Sequence, residues 1–333
     1  MIWNGKSGIV SHSVDWTEDA EGQVNNAYRR PISAAISVES SLLTVVYRGQ
    51  DILVWDIESN AVYETYAKET GANRHSAATI SVTAFVTGGL VFSSDLSANL
   101  LSASYSDGDL VVFDITEGTV KEKTLVYAQI LASSSNGRTL AAADSTGRIQ
   151  LFDFETHRLL NSISADDYGI KSLAFSGDSS RLLDIRGAKC RVWDPTALLR
   201  PDEVDESSDT VSVFTLPQET MLESTDDASL ITALACHPNG GSLFCGKADG
   251  GVYLYEGSSG LENQKLFNHA NNVTVVALFY DSQSSILSSV DSSSRVMCHK
   301  LVPQDQTWRV DGPLFDHRVG TAIDQILCKN GGM

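Results

Sequence analysis

A few stretches of this sequence carry residue types that could do chemistry. Gly5-Lys6-Ser7 reproduces the end of a phosphate-binding loop, in which backbone amides cradle phosphates, the lysine reaches the terminal ones and the hydroxyl meets magnesium. Such a loop needs a further glycine upstream and a helix downstream; the chain begins too late to supply the first, so an ordinary turn is expected. Gly257-Ser258-Ser259-Gly260 is one position off the elbow that presents a serine nucleophile, and it follows an outer strand instead of opening a helix. Cys298-His299 puts two metal-ligand types side by side, but neighbours in a strand face opposite sides, so no zinc site is expected. The histidines, His12, His75, His157, His237, His269, His299 and His317, show neither metal-ligand spacing nor a nucleophile partner. His237 opens a tight turn with Pro238 and is expected to make local hydrogen bonds. Paired carboxylates such as Asp166-Asp167 fall in loops, where adjacency says nothing about the separation that acid and base catalysis needs. The expectation is no catalytic residue, no metal and no cofactor.

Charge is the next feature. Residues 201 to 227 hold Asp202, Glu203, Asp205, Glu206, Asp209, Glu219, Glu223, Asp226 and Asp227 with no Lys, Arg or His, and these nine charges are half of the net −18. One reading is a solvated loop that serves solubility. The other is a steering surface for a basic segment of a partner protein, carried by Asp202, Glu203, Asp205, Glu206 and Asp209. Calcium binding would need a fixed ligand spacing and a turn glycine that the run lacks. A pI near 4.6 argues against tracking a nucleic-acid backbone. No apolar run is long enough to span a membrane, and the polar start does not read as a signal peptide. Five scattered cysteines, Cys190, Cys236, Cys245, Cys298 and Cys328, fit reduced thiols in a cytoplasmic protein, with the nucleus as the alternative. The sequon Asn272-Val273-Thr274 is then unused.

What must position all of this is a repeat. Six units end in a short apolar strand: Ile52 to Asp56, Leu110 to Asp114, Ile149 to Asp153, Cys190 to Asp194, Val252 to Glu256 and, degraded, Arg295 to His299. Five end on an aromatic and an acid, namely Trp55-Asp56, Phe113-Asp114, Phe152-Asp153, Trp193-Asp194 and Tyr255-Glu256. A second apolar segment precedes each ending by 11 or 12 residues, with turn-forming Gly, Asp and Asn between, so each pair is a β-hairpin. A third segment upstream (Ile32 to Val38, Ala128 to Ala132 and their equivalents) and a fourth downstream (Val62 to Tyr66, Leu159 to Ile163, Val211 to Leu216) make four strands per unit. The columns one and three residues before the cap aromatic are apolar and share a face; the cap points the other way and is apolar too. These strands are covered on both sides, which a radial stack of small sheets provides. The fold class is all-β, a single propeller over residues 1–333.

The unit resembles the WD40 repeat, with Trp55-Asp56 and Trp193-Asp194 as literal Trp-Asp pairs and Phe-Asp or Tyr-Glu at the other good copies. The resemblance covers about residues 31 to 328 and implies a seven-bladed propeller. Six repeats lie between about 31 and 301. A seventh is expected from Thr307-Trp308-Arg309-Val310 and Ala322 to Cys328, completed by the N-terminal strand Met1 to Asn4 within 1–16, or left incomplete by excision from a longer array. The Gly-His pair that precedes each repeat of the family is missing, and its His, Ser/Thr and Asp hydrogen-bond network is not expected in any copy. Cap-to-cap distances of 58, 39, 41, 62 and 43 residues leave insertions at 67 to 88 and 199 to 229, expected as loops. The serine-rich texture is similar to the C-terminal WD40 regions of fungal NACHT-type signalling NTPases. Together these resemblances imply a non-catalytic platform for other proteins, the sensor or regulatory propeller of a larger signalling protein, monomeric or part of a longer chain. A receptor for basic peptides, such as a histone tail or a ubiquitin-ligase substrate, is the alternative, and a propeller-fold enzyme a third.

Overall fold

The computed structural model describes residues 2–3, 10–12, 31–37, 42–47, 50–68, 84–95, 97–163, 169–186, 189–193, 219–222, 230–257, 261–304 and 307–318. All regular structure among them is strand. β1 (Ile2–Trp3) and β2 (Val10–His12) form a two-stranded sheet. Six four-stranded antiparallel sheets follow, each a meander of consecutive strands. The first holds β3 (Pro31–Ile36), β4 (Leu42–Tyr47), β5 (Ile52–Asp56) and β6 (Ala61–Tyr66). The second holds β7 (Val86–Phe92), β8 (Leu100–Tyr105), β9 (Asp109–Asp114) and β10 (Thr119–Leu125). The third holds β11 (Ala128–Ser133), β12 (Thr139–Asp144), β13 (Ile149–Asp153) and β14 (Leu159–Ile163). The fourth holds β15 (Ile170–Phe175), β16 (Leu182–Arg186), β17 (Lys189–Trp193) and β18 (Glu219–Leu222). The fifth holds β19 (Ile231–Cys236), β20 (Ser242–Lys247), β21 (Gly251–Glu256) and β22 (Glu262–Asn268). The sixth holds β23 (Val275–Asp281), β24 (Ile286–Asp291), β25 (Arg295–Gln304) and β26 (Thr307–Arg318).

The first strands, β3, β7, β11, β15, β19 and β23, pack against one another in that order, and the fourth strands lie outermost. The result is a propeller-like row of sheets. Its core follows the expected columns. Ile52 and Val54 of the first sheet share a buried cluster with Val111 and Phe113 of the second. Leu110 and Val112, on the other face of the same β9, join Leu140 and Phe152 of the third. Ile149 and Leu151 meet Trp193 and Leu182 of the fourth, and Val192 and Ile185 meet Tyr253 and Tyr255 of the fifth. From the second sheet to the fifth the cap aromatic therefore packs on the preceding sheet, and from the first sheet on the residue before it packs on the following one. Burying one such side chain contributes about 1.5–3 kcal/mol, and the third strand of a unit does so on both faces.

The acidic caps have a separate task. Asp56 Oδ1 accepts from the Glu58 and Ser59 amides at 2.9 and 3.2 Å. Asp114 does the same for Thr116 and Glu117 at 2.9 Å each, and Asp153 for Thr156 at 2.9 Å. A side-chain oxygen that binds amides two and three residues on is what a tight turn out of a strand requires. Asp194 lies outside the described residues.

Two expectations fail in instructive ways. Thr307 to Val310 does not open a seventh unit; it is the start of β26, the fourth strand of the sixth sheet, paired along β25 from Gln304↔Thr307 to Arg295↔Arg318. The reason lies in how the core is filled. Where the sixth unit has Cys298 instead of a cap aromatic, Tyr280 and Trp308 stack around Phe244 of the fifth sheet, with centroids at 4.9 and 5.9 Å. The Gln264 carboxamide then holds the Trp308 backbone from both sides, accepting its N–H at 3.0 Å and donating to its C=O at 2.9 Å. The second failure is the long insertion after Trp193, which is not all loop: Glu219–Leu222, not Val211 to Leu216, pairs with β17. At the N-terminus, Ile2–Trp3 pairs with Val10–His12. Residues 211 to 216 and 322 to 328 lie outside the described residues, as do Gly5-Lys6-Ser7, Asp166-Asp167 and Ser258 to Gly260.

Candidate interaction surface

In a four-stranded meander, the turn between second and third strands and the connection to the next sheet emerge at one end. That end carries a repeated irregularity. In all six sheets the pairing of first and second strands slips near the start of the first strand: at Pro31/Ser33, Val86/Leu90, Ala128/Ile130, Ile170/Ser172, Ile231/Ala233 and Val275/Ala277. A bulge sharpens strand twist and re-aims the extra residue. At the second sheet it needs glycine: a Cβ on Gly89 would lie 2.5 Å from Ser104 Oγ and 2.7 Å from Leu131 Cγ.

The extra residues differ in what they do: Ile32 and Val276, in the first and sixth sheets, are apolar and half-buried. Thr87 and Thr232 turn sideways and stitch neighbouring sheets, Thr87 Oγ1 donating to Ala128 O at 3.4 Å and Thr232 Oγ1 to Val275 O at 2.5 Å. Gln129 and Lys171, at the same place in the third and fourth sheets, are exposed. Beside them, Leu125 at the end of β10 and Tyr127 on the connection to β11 are 63% and 61% exposed. Tyr127 is held there by force of backbone: its φ is +58°, a region that costs a non-glycine residue free energy. The Val126 and Tyr127 amides both donate to Gly108 O, at 2.8 and 2.9 Å, and fix that bend. The ring lies against Gly108, itself at φ +94°, where any Cβ would collide with it at 2.5 Å.

Behind this end four of the six units carry a polar clamp of their own. In the second sheet Lys68 pairs with Asp107 and Asp109, Lys123 joins Asp109 at 2.7 Å, and Lys68 lies 5.0 Å from the Tyr105 ring centre. In the fourth, Asp184 takes Arg186 Nε at 2.9 Å and the Trp193 indole N–H at 2.8 Å, all buried. In the fifth, Glu262 Oε2 takes Lys247 at 2.6 Å and the Tyr255 hydroxyl at 3.0 Å, with Lys247 4.0 Å above the Tyr253 ring.

The sixth corrects the sequence reading outright. His269, Ser289 and Asp291 form the His, Ser and Asp network that was expected in no copy: Nδ1 lies 3.0 Å from Asp291 Oδ2 and Nε2 2.8 Å from Ser289 Oγ. Burial holds the imidazole below its usual range despite the adjacent carboxylate, so the ring is neutral. Nδ1–H then donates to Asp291, and Nε2 accepts from the serine. The usable sequence signal was Asn268-His269 ahead of Ser289-Val290-Asp291, masked by the absent glycine. In type and order of contacts this is a nucleophile triad. Yet Ser289 is 0% exposed, on a central strand, and its hydroxyl also lies 3.3 Å from Met297 O. A substrate has no surface of it to meet.

The remaining candidates fall into place separately. His237 makes the expected local bond, Nδ1 accepting from the Asn239 amide at 3.3 Å, and its ring lies tilted with its centre 5.4 Å from those of both Tyr280 and Trp308. His299 is buried and stacks on Phe267 at 3.9 Å. Cys236, Cys245 and Cys298 are free thiols, and burial pushes Cys236 up to about 12. Among the described residues no group of His, Cys, Asp and Glu is placed to hold a metal ion, and no helix is long and apolar enough to cross a membrane. Asp202, Glu203, Asp205, Glu206 and Asp209 lie outside the described residues. No protein-family model matches the sequence, and no curated protein matches it either.

Proposed function

We propose that this chain is a WD40-type, non-catalytic platform for other proteins, acting in the cytoplasm or nucleus as the regulatory propeller of a signalling assembly. The observation that carries this reading is Tyr127, an exposed aromatic kept in a strained backbone conformation beside exposed Leu125, Gln129 and Lys171. Local strain persists where the surroundings impose it, and aromatics flanked by polar groups are the usual anchors of protein interfaces. Affinity capture from a cytosolic extract tests it, with intact chain and Tyr127→Ala side by side. Partners lost with Tyr127→Ala support the reading, and an unchanged set overturns the role of this end. A receptor for basic peptides is the second reading, favoured by the acidic run at 201 to 227. Deleting 202 to 209 in the same experiment separates the two. The enzyme reading has Ser289 as its best nucleophile, and its full burial speaks against it. Labelling of Ser289 by a fluorophosphonate probe would reverse that judgement.

A further inference from the structure

Each four-stranded sheet ends in an outer strand whose far edge presents backbone donors and acceptors, and such edges are normally guarded. β10 carries Lys121, Glu122 and Lys123; β22 carries Glu262 and Lys265; β26 carries Arg309, Asp311, Asp316 and Arg318 with Pro313 among them. β14 covers Asn161, Ser162 and Ile163. β6 differs from all of these. Its residues Ala61, Val62, Tyr63, Glu64 and Thr65 are exposed in succession, with Val62 at 47% and Tyr63 at 50%, and among the described residues no strand pairs with its outer edge. The Thr65 amide donates at 3.1 Å to the carboxylate of its own neighbour Glu64, a donor on the strand that a side chain satisfies in place of a further strand.

We propose that β6 is a docking edge that takes an extended, lysine- or arginine-bearing segment of a partner protein as a fifth strand of the first sheet. Main-chain hydrogen bonds along β6 supply the attachment, and Val62 and Tyr63 supply apolar contact for alternate side chains of the incoming strand. Charge selects the partner. Residues 51 to 67 hold Asp51, Asp56, Glu58 and Glu64 with no basic residue, and the next base, Lys68, is already paired with Asp107 and Asp109. An incoming lysine would draw Glu64 away from the Thr65 amide and free that donor for the new strand. The same charge disfavours a second copy of β6, which would set like charges against each other. This inference is independent of which end of the sheets serves as the platform.

The probe is a fluorescein-labelled octapeptide of alternating lysine and valine, titrated with the full chain and read by anisotropy. Saturable binding is expected, weakened about tenfold or more by Thr65→Pro, which removes that amide donor from an edge strand that tolerates proline, and by Glu64→Lys. Both variants should melt with the parent. If Thr65→Pro melts early, Glu64→Lys, a change at an exposed side chain, decides alone. A peptide of equal charge with its central valines replaced by proline should not bind. Equal binding of that peptide means charge alone and overturns the proposal, as does binding indifferent to the variants or no binding at all. A dimer of the chain in sedimentation that Glu64→Lys dissociates would give the edge to a second copy and overturn the partner proposed.

Discussion

In the fourth sheet one side chain, Trp193, both fills the interface with the third sheet and ties down the hairpin beneath it through Asp184. In the sixth those two tasks are divided. Tyr280 and Trp308 fill the interface with the fifth sheet, while His269, Ser289 and Asp291 hold the hairpin. What has to be satisfied is a volume between sheets and a set of buried polar groups at one end of each. The residue type at the cap position is one solution to that requirement. A unit that has lost the cap keeps its place in the row because strand β25 runs on to Gln304, and the tryptophan at the start of β26, opposite Pro303, lies over the gap.

The largest effects should come from the fourth sheet, where one residue does both jobs. Trp193→Ala is expected to cost about 3–5 kcal/mol in denaturant unfolding; a loss under about 1 kcal/mol would mean that the interface does not depend on the cap. Removing Asp184 leaves Arg186 buried without its carboxylate, and Asp184→Ala should cost a comparable amount, about 3–5 kcal/mol. The divided arrangement should be softer. Trp308→Ala, a half-buried tryptophan, is expected to cost about 2 kcal/mol, and no measurable loss would show that it does not replace the cap. His269→Ala should cost about 1–3 kcal/mol, the penalty of leaving Ser289 and Asp291 without their partner.

The smallest and most selective difference concerns pH. The fourth sheet contains no histidine, whereas burial depresses His269 and pushes His299 down to about 4. A histidine whose folded pKa lies below its unfolded value of about 6.5 contributes stability that is fully present above that value and is lost as the pH falls towards the folded one. Amide exchange in β24 should therefore lose protection between about pH 6.5 and 4 more steeply than in β16. Equal slopes would remove the distinction.

The periodic part of this fold was legible because strands with two apolar faces leave columns in the sequence. Val54, Val112, Leu151, Val192 and Leu254 lie on the face that the columns assigned them, and Phe113, Phe152, Trp193 and Tyr255 on the other. What could not be read were contacts made across units. Trp308 looked like a beginning because nothing local says that it answers the missing aromatic at Cys298. The His269 network spans the 22 residues from His269 to Asp291 and lacks the glycine that would mark it in the sequence. Tyr127 leaves no trace beyond Gly108, since backbone strain is a property of the bend and not of the side chain. Glu219–Leu222 was displaced because an acidic run gives no strand periodicity. Five carboxylates, Asp202, Glu203, Asp205, Glu206 and Asp209, remain a reading of composition alone.

At the opposite end of the sheets the turns between first and second strands hook into one another. Ser93 Oγ donates to Gly137 O at 2.8 Å, Ser135 Oγ to Ser176 O at 3.1 Å, and Arg181 to Gly240 O at 3.2 Å. With Thr87 and Thr232 bridging the other end, neighbouring sheets are fastened at their inner margin, and at some outer margins as well, where Lys121 meets Glu155 and Gln264 meets Trp308. A load applied along the described sheets would pass through every interface between neighbours at once, and the weakest of them would yield first.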